Sequence, residues 1–193
     1  MIVDEIIYTD QDHAADLLER LHDTVFHLTT KEAFDQIQRD VYIFHNRERR
    51  FALNIASENS FGRNRGWVCL FDLRGHPEAT IKETRKKYNF LEPSWFKRYY
   101  TKYTESHLAY LFLDPKTYPA LVSNQTAANI RKATNRNNHY VPKTECWYPG
   151  DLPLTAIGSV LLVQIYTSAP THNLLLYAHH RCEVERERKR RNG

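Results

Sequence analysis

Glu145 is the acid around which this sequence could build a reaction. Lys143, Glu145 and Trp147 alternate with Thr144, Cys146 and Tyr148, so a strand here puts Glu145 on one face beside aromatic and basic neighbours. Pro149 and Gly150 then end the strand. A carboxylate fixed by rigid backbone just before such a turn can still face a cleft. The competing reading is a strand with one solvated glutamate, because most strand carboxylates lie at the surface. A second chemical region is the polar stretch from Ala56 to Gly66, whose Ser57, Asn59, Ser60, Arg63, Asn64 and Arg65 are dense in side-chain donors; it has the composition of a binding loop or the start of a short helix.

A third region interleaves aromatics with bases. Between Pro93 and Tyr103, a helical period puts Trp95, Phe96, Tyr99, Tyr100 and Tyr103 on one side, with Lys97, Arg98 and Lys102 elsewhere. Stacking rings beside phosphate-binding cations are what a single-stranded nucleic-acid surface uses. An aromatic stripe at helical spacing also serves as core. Arg136, in the loop from Asn135 to His139, and Trp147 complete the candidate nucleic-acid contacts.

Composition narrows the classes. The 193 residues fit one domain with room for a sizeable core. Lys and Arg number 27 against 23 Asp and Glu, a formal charge of +4, which permits a polyanionic partner without requiring one. The start of the chain carries Asp4 and Glu5 beside a short apolar patch, unlike a signal peptide. No run approaches the roughly 18 apolar residues of a membrane span. The three cysteines, Cys69, Cys146 and Cys182, form no C-x-x-C pair, so neither a disulfide framework nor a metal site is indicated, and a reducing cytoplasm is the simplest location. Six glycines make neither a dinucleotide fingerprint nor a phosphate loop.

The elements that must position these groups are mixed. Helices are expected over about 11–22, from a capping signal at Thr29 to Glu32 as far as about Asp40, and from a cap at 123–126 to about Thr134. Strands are expected at Val25 to Leu28, Phe51 to Ile55, Trp67 to Leu73, Leu108 to Leu113, through Glu145, and from Gly158 to Ile165. Pro119 to Val122 is expected to be extended and Glu78 to Lys87 a basic helix or loop. His172 to Arg191 is expected as a C-terminal basic helix, either solvated or a phosphate-binding arm. The class is α+β.

Three pieces, in this order, resemble the ADP-ribosyltransferase fold, and most closely its nucleic-acid-modifying toxins of the DarT type. Phe26-His27-Leu28-Thr29-Thr30 and the following helix resemble the first catalytic strand and helix. Leu111 to Pro115, continuing through Ser123-Asn124-Gln125-Thr126-Ala127-Ala128, is similar to the strand, loop and helix start that precede the catalytic segment. Thr144-Glu145-Cys146-Trp147-Tyr148-Pro149 is similar to the strand bearing the family's glutamate. Val41 stands where that family usually has a glycine. The resemblance covers about 25–165 and implies a single domain with a split mixed sheet and flanking helices.

It also implies NAD as ADP-ribose donor. Glu145 would stabilise the oxocarbenium character of the ribose and bond its 2′-hydroxyl, and an unperturbed carboxyl is ionised at pH 7. His27, Leu28 and Thr29 would hold the ribose and nicotinamide. Arg50 or Arg63 would pair with the pyrophosphate, since a guanidinium matches phosphate oxygens bidentately, with Ser57, Asn59 and Ser60 as further donors. The acceptor would be RNA or single-stranded DNA, with an antitoxin protein as a possible partner or phage as the target. The alternatives are a protein side chain as acceptor, a basic RNA-binding module without catalysis, and an interaction scaffold.

Overall fold

The computed structural model describes residues 1–9, 13–51, 59–88, 97–99, 103–134 and 139–168. Their chain order is β1 (Ile2–Thr9), α1 (His13–Leu21), β2 (Val25–Thr30), α2 (Lys31–Asp40), β3 (Tyr42–Ile43), α3 (Phe61–Arg65), β4 (Trp67–Asp72), α4 (Glu78–Tyr88), β5 (Lys97–Tyr99), β6 (Tyr103–Leu113), α5 (Asn124–Thr134), β7 (Glu145–Pro149), β8 (Leu152–Pro153) and β9 (Ile157–Ser168). Seven strands form one sheet in the order β1-β9-β6-β2-β4-β7, with β5 on the β6 edge. The β1–β9 pair is parallel and the others are antiparallel. The chain is therefore α+β with a mixed sheet. Among the described residues no helix is long and apolar enough to cross a membrane.

Local chemistry explains much of this. The Thr30 hydroxyl accepts a bond from the Ala33 N–H at 3.1 Å and so opens α2. Leu17, Leu18 and Leu21 recur at helical spacing and pack with Phe26, Tyr110, Val163 and Ile165 on one sheet face. Val25, Phe34, Val68, Leu70, Leu111, Cys146 and Val160 belong to a second cluster that also takes in Ile43 and Leu152 of the β3–β8 pair. The expected helices near 11–22, 30–40 and 123–134 are present; the strands at 25, 108 and 158 run through or beyond their expected bounds, and the one at 67 ends at Asp72, one residue short.

Some expectations change. Ile2–Thr9 is a strand, hidden in the sequence because apolar residues sit on both faces: Ile6 and Tyr8 pack on the core while Val3 and Ile7 stay exposed. Lys97–Tyr99 is also a strand, paired with Ser106, Glu105 and Thr104, and Tyr103 opens β6. Cross-strand backbone bonding there overrides the helical period read from the aromatics. Residues 93–96 and 100–102 of that stretch lie outside the described residues, as do 52–55 of the expected strand at Phe51 and all of 172–191. Pro115–Ala120 is a 3₁₀ turn whose start is capped by the Asp114 carboxylate, which accepts from Lys116 N–H. Pro119 falls within it, so the extended run expected from there is reduced to a single bridge, Val122 with Trp147.

The pairing of β2 is lopsided. It follows β6 from Phe26 to Thr30, but meets β4 only at Val25↔Asp72 and Phe26↔Phe71. Past Phe26 the sheet is split between β2 and β4.

Val41 caps α2 in the left-handed region at φ 55°. A β-branched residue is strained there, whereas glycine is not. Its side chain is exposed, so little packing is at stake. Val41→Gly should therefore raise stability by about 1 kcal/mol, seen as a melting temperature a few degrees higher; an unchanged or lower value would mean that the turn is unstrained.

Candidate active site

The strand that carries Glu145 begins at that residue. Before it, residues 142–144 turn, and Lys143 has φ 69°. Lys143 is thus not the same-face strand neighbour that alternation suggested. Asn124, the first residue of α5, holds this turn. Its amide donates to the carbonyls of Val141 (3.1 Å) and Glu145 (2.9 Å), and its Oδ1 accepts from Lys143 N–H (3.0 Å). Backbone groups that would otherwise extend the ladder are satisfied by one side chain. The Glu145 side chain turns back into the same loop, where Oε2 accepts from Val141 N–H at 2.6 Å.

Oε1 has two more donors, Trp147 Nε1 at 3.1 Å and Cys69 Sγ at 3.0 Å. Glu145 keeps only 5 % of its surface exposed. Burial raises its pKa to about 7, against the pull of the Val141, Cys69 and Trp147 donors. This corrects the expectation of an ordinary carboxyl, fully ionised at neutral pH. Burial, and then the Glu145 charge, push the Cys69 thiol well above its usual range. Cys69 therefore remains a protonated donor and is no nucleophile at neutral pH.

Cys69 also reaches the other candidate group. Its carbonyl lies 2.9 Å from His27 Nδ1, across the split between β2 and β4. A carbonyl partner requires the proton on Nδ1, which leaves Nε2 as an acceptor. Burial holds the imidazole below its ordinary pKa, with the Cys69 carbonyl opposing, so at pH 7 the ring is neutral. Glu145 pairs with Phe71, which pairs with Phe26; these share a face, and His27 follows Phe26 onto the other. What joins His27 to Glu145 is the β4 backbone at the split, so a ligand that touches both must enter there.

Behind Glu145 lies an aromatic block. Trp147 is fully buried, with ring centroids 4.9 Å from Phe61 and 5.7 Å from Tyr140. A Cβ at Gly62 would come within 2.3 Å of Trp147 Cδ1 and 2.7 Å of Nε1. Gly62 thus lets α3 press on the ring that donates to Glu145. Trp147 supports the carboxylate and cannot stack on a nucleic-acid base, which corrects its assignment as a nucleic-acid contact.

The remaining candidates are dispersed. Thr29 lies on the same strand row as His27 and is half-buried, whereas Leu28 packs on the α1 side of the sheet. Arg63 is half-buried in α3. Arg50 is exposed, its guanidinium 4.1 Å over the Phe44 ring. The Asn59 carbonyl accepts from His139 N–H at 2.8 Å, and its Oδ1 takes the Asn64 amide at 3.3 Å. Ser60 is the N-cap of α3 without a side-chain cap bond. Lys97, Arg98 and Tyr99 lie on β5; Ser57, Lys102 and Arg136 lie outside the described residues. Sequence reasoning missed Cys69 and Gly62 and gave Asn124 no role. An alternating strand such as β4 does not reveal that one residue will bridge two neighbours.

Burial of Glu145 links stability to pH. Between its ordinary value of 4.5 and about 7 the acid is protonated in the folded chain and ionised in the unfolded one, so folding takes up a proton and stability falls as pH rises through that window. The loss should total about 3 kcal/mol. Urea titrations at several pH values should show it, and Glu145→Gln should remove this component of the slope; an identical slope in the variant would exclude a buried acid. No protein-family model matches the chain, and no curated protein or solved structure matches it at a significant level.

Proposed function

We propose that this protein is an NAD-dependent mono-ADP-ribosyltransferase acting on nucleic acid, RNA or single-stranded DNA. The observation that carries this reading is the junction at Cys69, whose carbonyl meets His27 and whose thiol meets Glu145. The two residues singled out by the family resemblance, far apart in sequence, come to one place through a single intervening residue. A general scaffold has no need to bury a glutamate among three donors against a strand that flanks a split in the sheet.

The residues present suit the donor's chemistry. Cleaving the bond between nicotinamide and ribose builds positive charge on the sugar, and a fixed anion in a low-dielectric site is complementary to it. Glu145 is held from three directions, so it does not reorganise as that charge develops. Its backbone is anchored by Asn124 and the Val141 carbonyl, which fixes Glu145 at the start of β7. His27 Nε2 is an acceptor suited to a ribose hydroxyl or an amide N–H. Thr29 can add a hydroxyl on the same row.

Glu145 must be ionised to play this part. Transfer should rise with pH through about 7 and fall roughly tenfold per unit below it. Glu145→Gln should lower the rate about 10²-fold to 10³-fold. The check is to incubate the protein with labelled NAD and, separately, total RNA, single-stranded DNA oligomers and lysate protein. Label on nucleic acid that disappears in the variant is the expected result. Label on protein would change the acceptor, and no label together with no calorimetric NAD binding would reject the transferase.

A further inference from the structure

Away from Glu145, the described surface carries one place where rings and cations are exposed together. Tyr42, Phe44 and Phe51 form a line, with successive centroids 6.2 Å and 5.9 Å apart and tilts of 30° and 35°. Tyr42 is 42 % and Phe51 40 % exposed. The Arg50 guanidinium lies 4.1 Å above Phe44 and 5.7 Å from Phe51. Arg47, Arg49 and Arg50 are all exposed, with Glu48 the one acid among residues 44–51.

The platform is built rather than incidental. Asn46 closes the loop, its Oδ1 accepting from Phe51 N–H at 2.8 Å and its Nδ2 donating to Phe51 carbonyl at 3.1 Å. Asn46 and Arg49 both take left-handed backbone, at φ 53° and 58°. The His45 N–H donates to Asp151 at 3.0 Å, and Ile43 pairs with Leu152, so the loop is tied to the chain that leaves β7. Rings fixed in this way lose little conformational freedom on binding a flat partner.

We propose that Tyr42, Phe44 and Phe51, with Arg47, Arg49 and Arg50, bind the single-stranded nucleic-acid acceptor, bases stacking on the rings and phosphates meeting the arginines. This rests on the nucleic-acid reading given above. The chemistry favours that occupant because gently tilted rings interleaved with guanidinium groups match a chain that alternates flat bases with anions. An acidic protein would satisfy the charges but has no use for the exposed ring faces. The loop is anchored through Asp151 and Leu152 on the chain that follows β7, so the platform sits on the segment that continues the Glu145 strand. Arg50 then serves the acceptor rather than the donor's pyrophosphate.

The test is fluorescence anisotropy of short labelled RNA and DNA single strands against the full chain without NAD, over a salt series, with circular dichroism of each variant. Tyr42→Ala should weaken binding about tenfold, and Tyr42→Leu, which keeps apolar area but has no ring, should not restore it. Arg49→Gln should reduce the salt slope by about 0.7. The RNA and DNA arms identify which strand is the acceptor. Wild-type binding by both Tyr42 variants, or no binding of either strand, overturns the platform. If Glu145-dependent turnover of NAD persists in that case, the donor chemistry stands without this surface; binding that tracks these residues with no NAD turnover supports the surface and removes the transferase.

Discussion

A carboxylate with almost no contact with water must find its partners inside the protein, and Glu145 finds them on three separate pieces of chain. Val141 comes from the preceding turn, Trp147 from its own strand, and Cys69 from the strand beside it. Desolvation and donation oppose each other, and the resulting balance near neutrality keeps the group responsive to its surroundings. Each donor is itself constrained. Trp147 is pinned by Phe61 and the bare backbone of Gly62; Val141 is held by Asn124. Moving any of these groups changes the field at the acid.

The split between β2 and β4 complements that arrangement. A fully paired sheet would close over the Cys69 carbonyl with a backbone N–H. Because pairing stops after Phe26, a histidine side chain takes its place. A backbone N–H could offer a ligand nothing further, whereas an imidazole with its proton committed to one nitrogen still presents the other. The sheet's incompleteness thus leaves the site an acceptor at the split, joined to Glu145 through Cys69.

How much of this could be read beforehand depends on how local the signal is. The Thr30 cap, the leucines of α1 and the apolar runs of β2, β4, β6 and β9 speak within a few residues, and the corresponding elements are present. β1 was silent because its apolar residues occupy both faces, and β5 was misread because what makes Lys97–Tyr99 a strand is backbone pairing with β6, which the aromatic spacing does not encode. At the site, Glu145 and His27 were visible by residue type and resemblance. Their connection was not, since it depends on a backbone carbonyl and a thiol that no short motif encodes. The raised pKa of Glu145 was equally invisible, because burial is a property of packing from distant segments.

The parallel pairing of β1 with β9 joins the earliest described strand to the last, from Ile2↔Ser159 to Thr9↔Tyr166. Among the described residues β1 has no other neighbour in the sheet. On a ribosome, residues 2–9 are made long before 157–168, a delay on the order of ten seconds at ordinary elongation rates. Over that interval the nascent chain can assemble β2, β4 and β6, with the site's Cys69 and His27 already adjacent, while Ile2 to Tyr8 waits as an unpaired apolar segment. Completion of the sheet is therefore a late, non-local step, and that waiting segment is where a nascent chain of this protein most needs shielding from its neighbours.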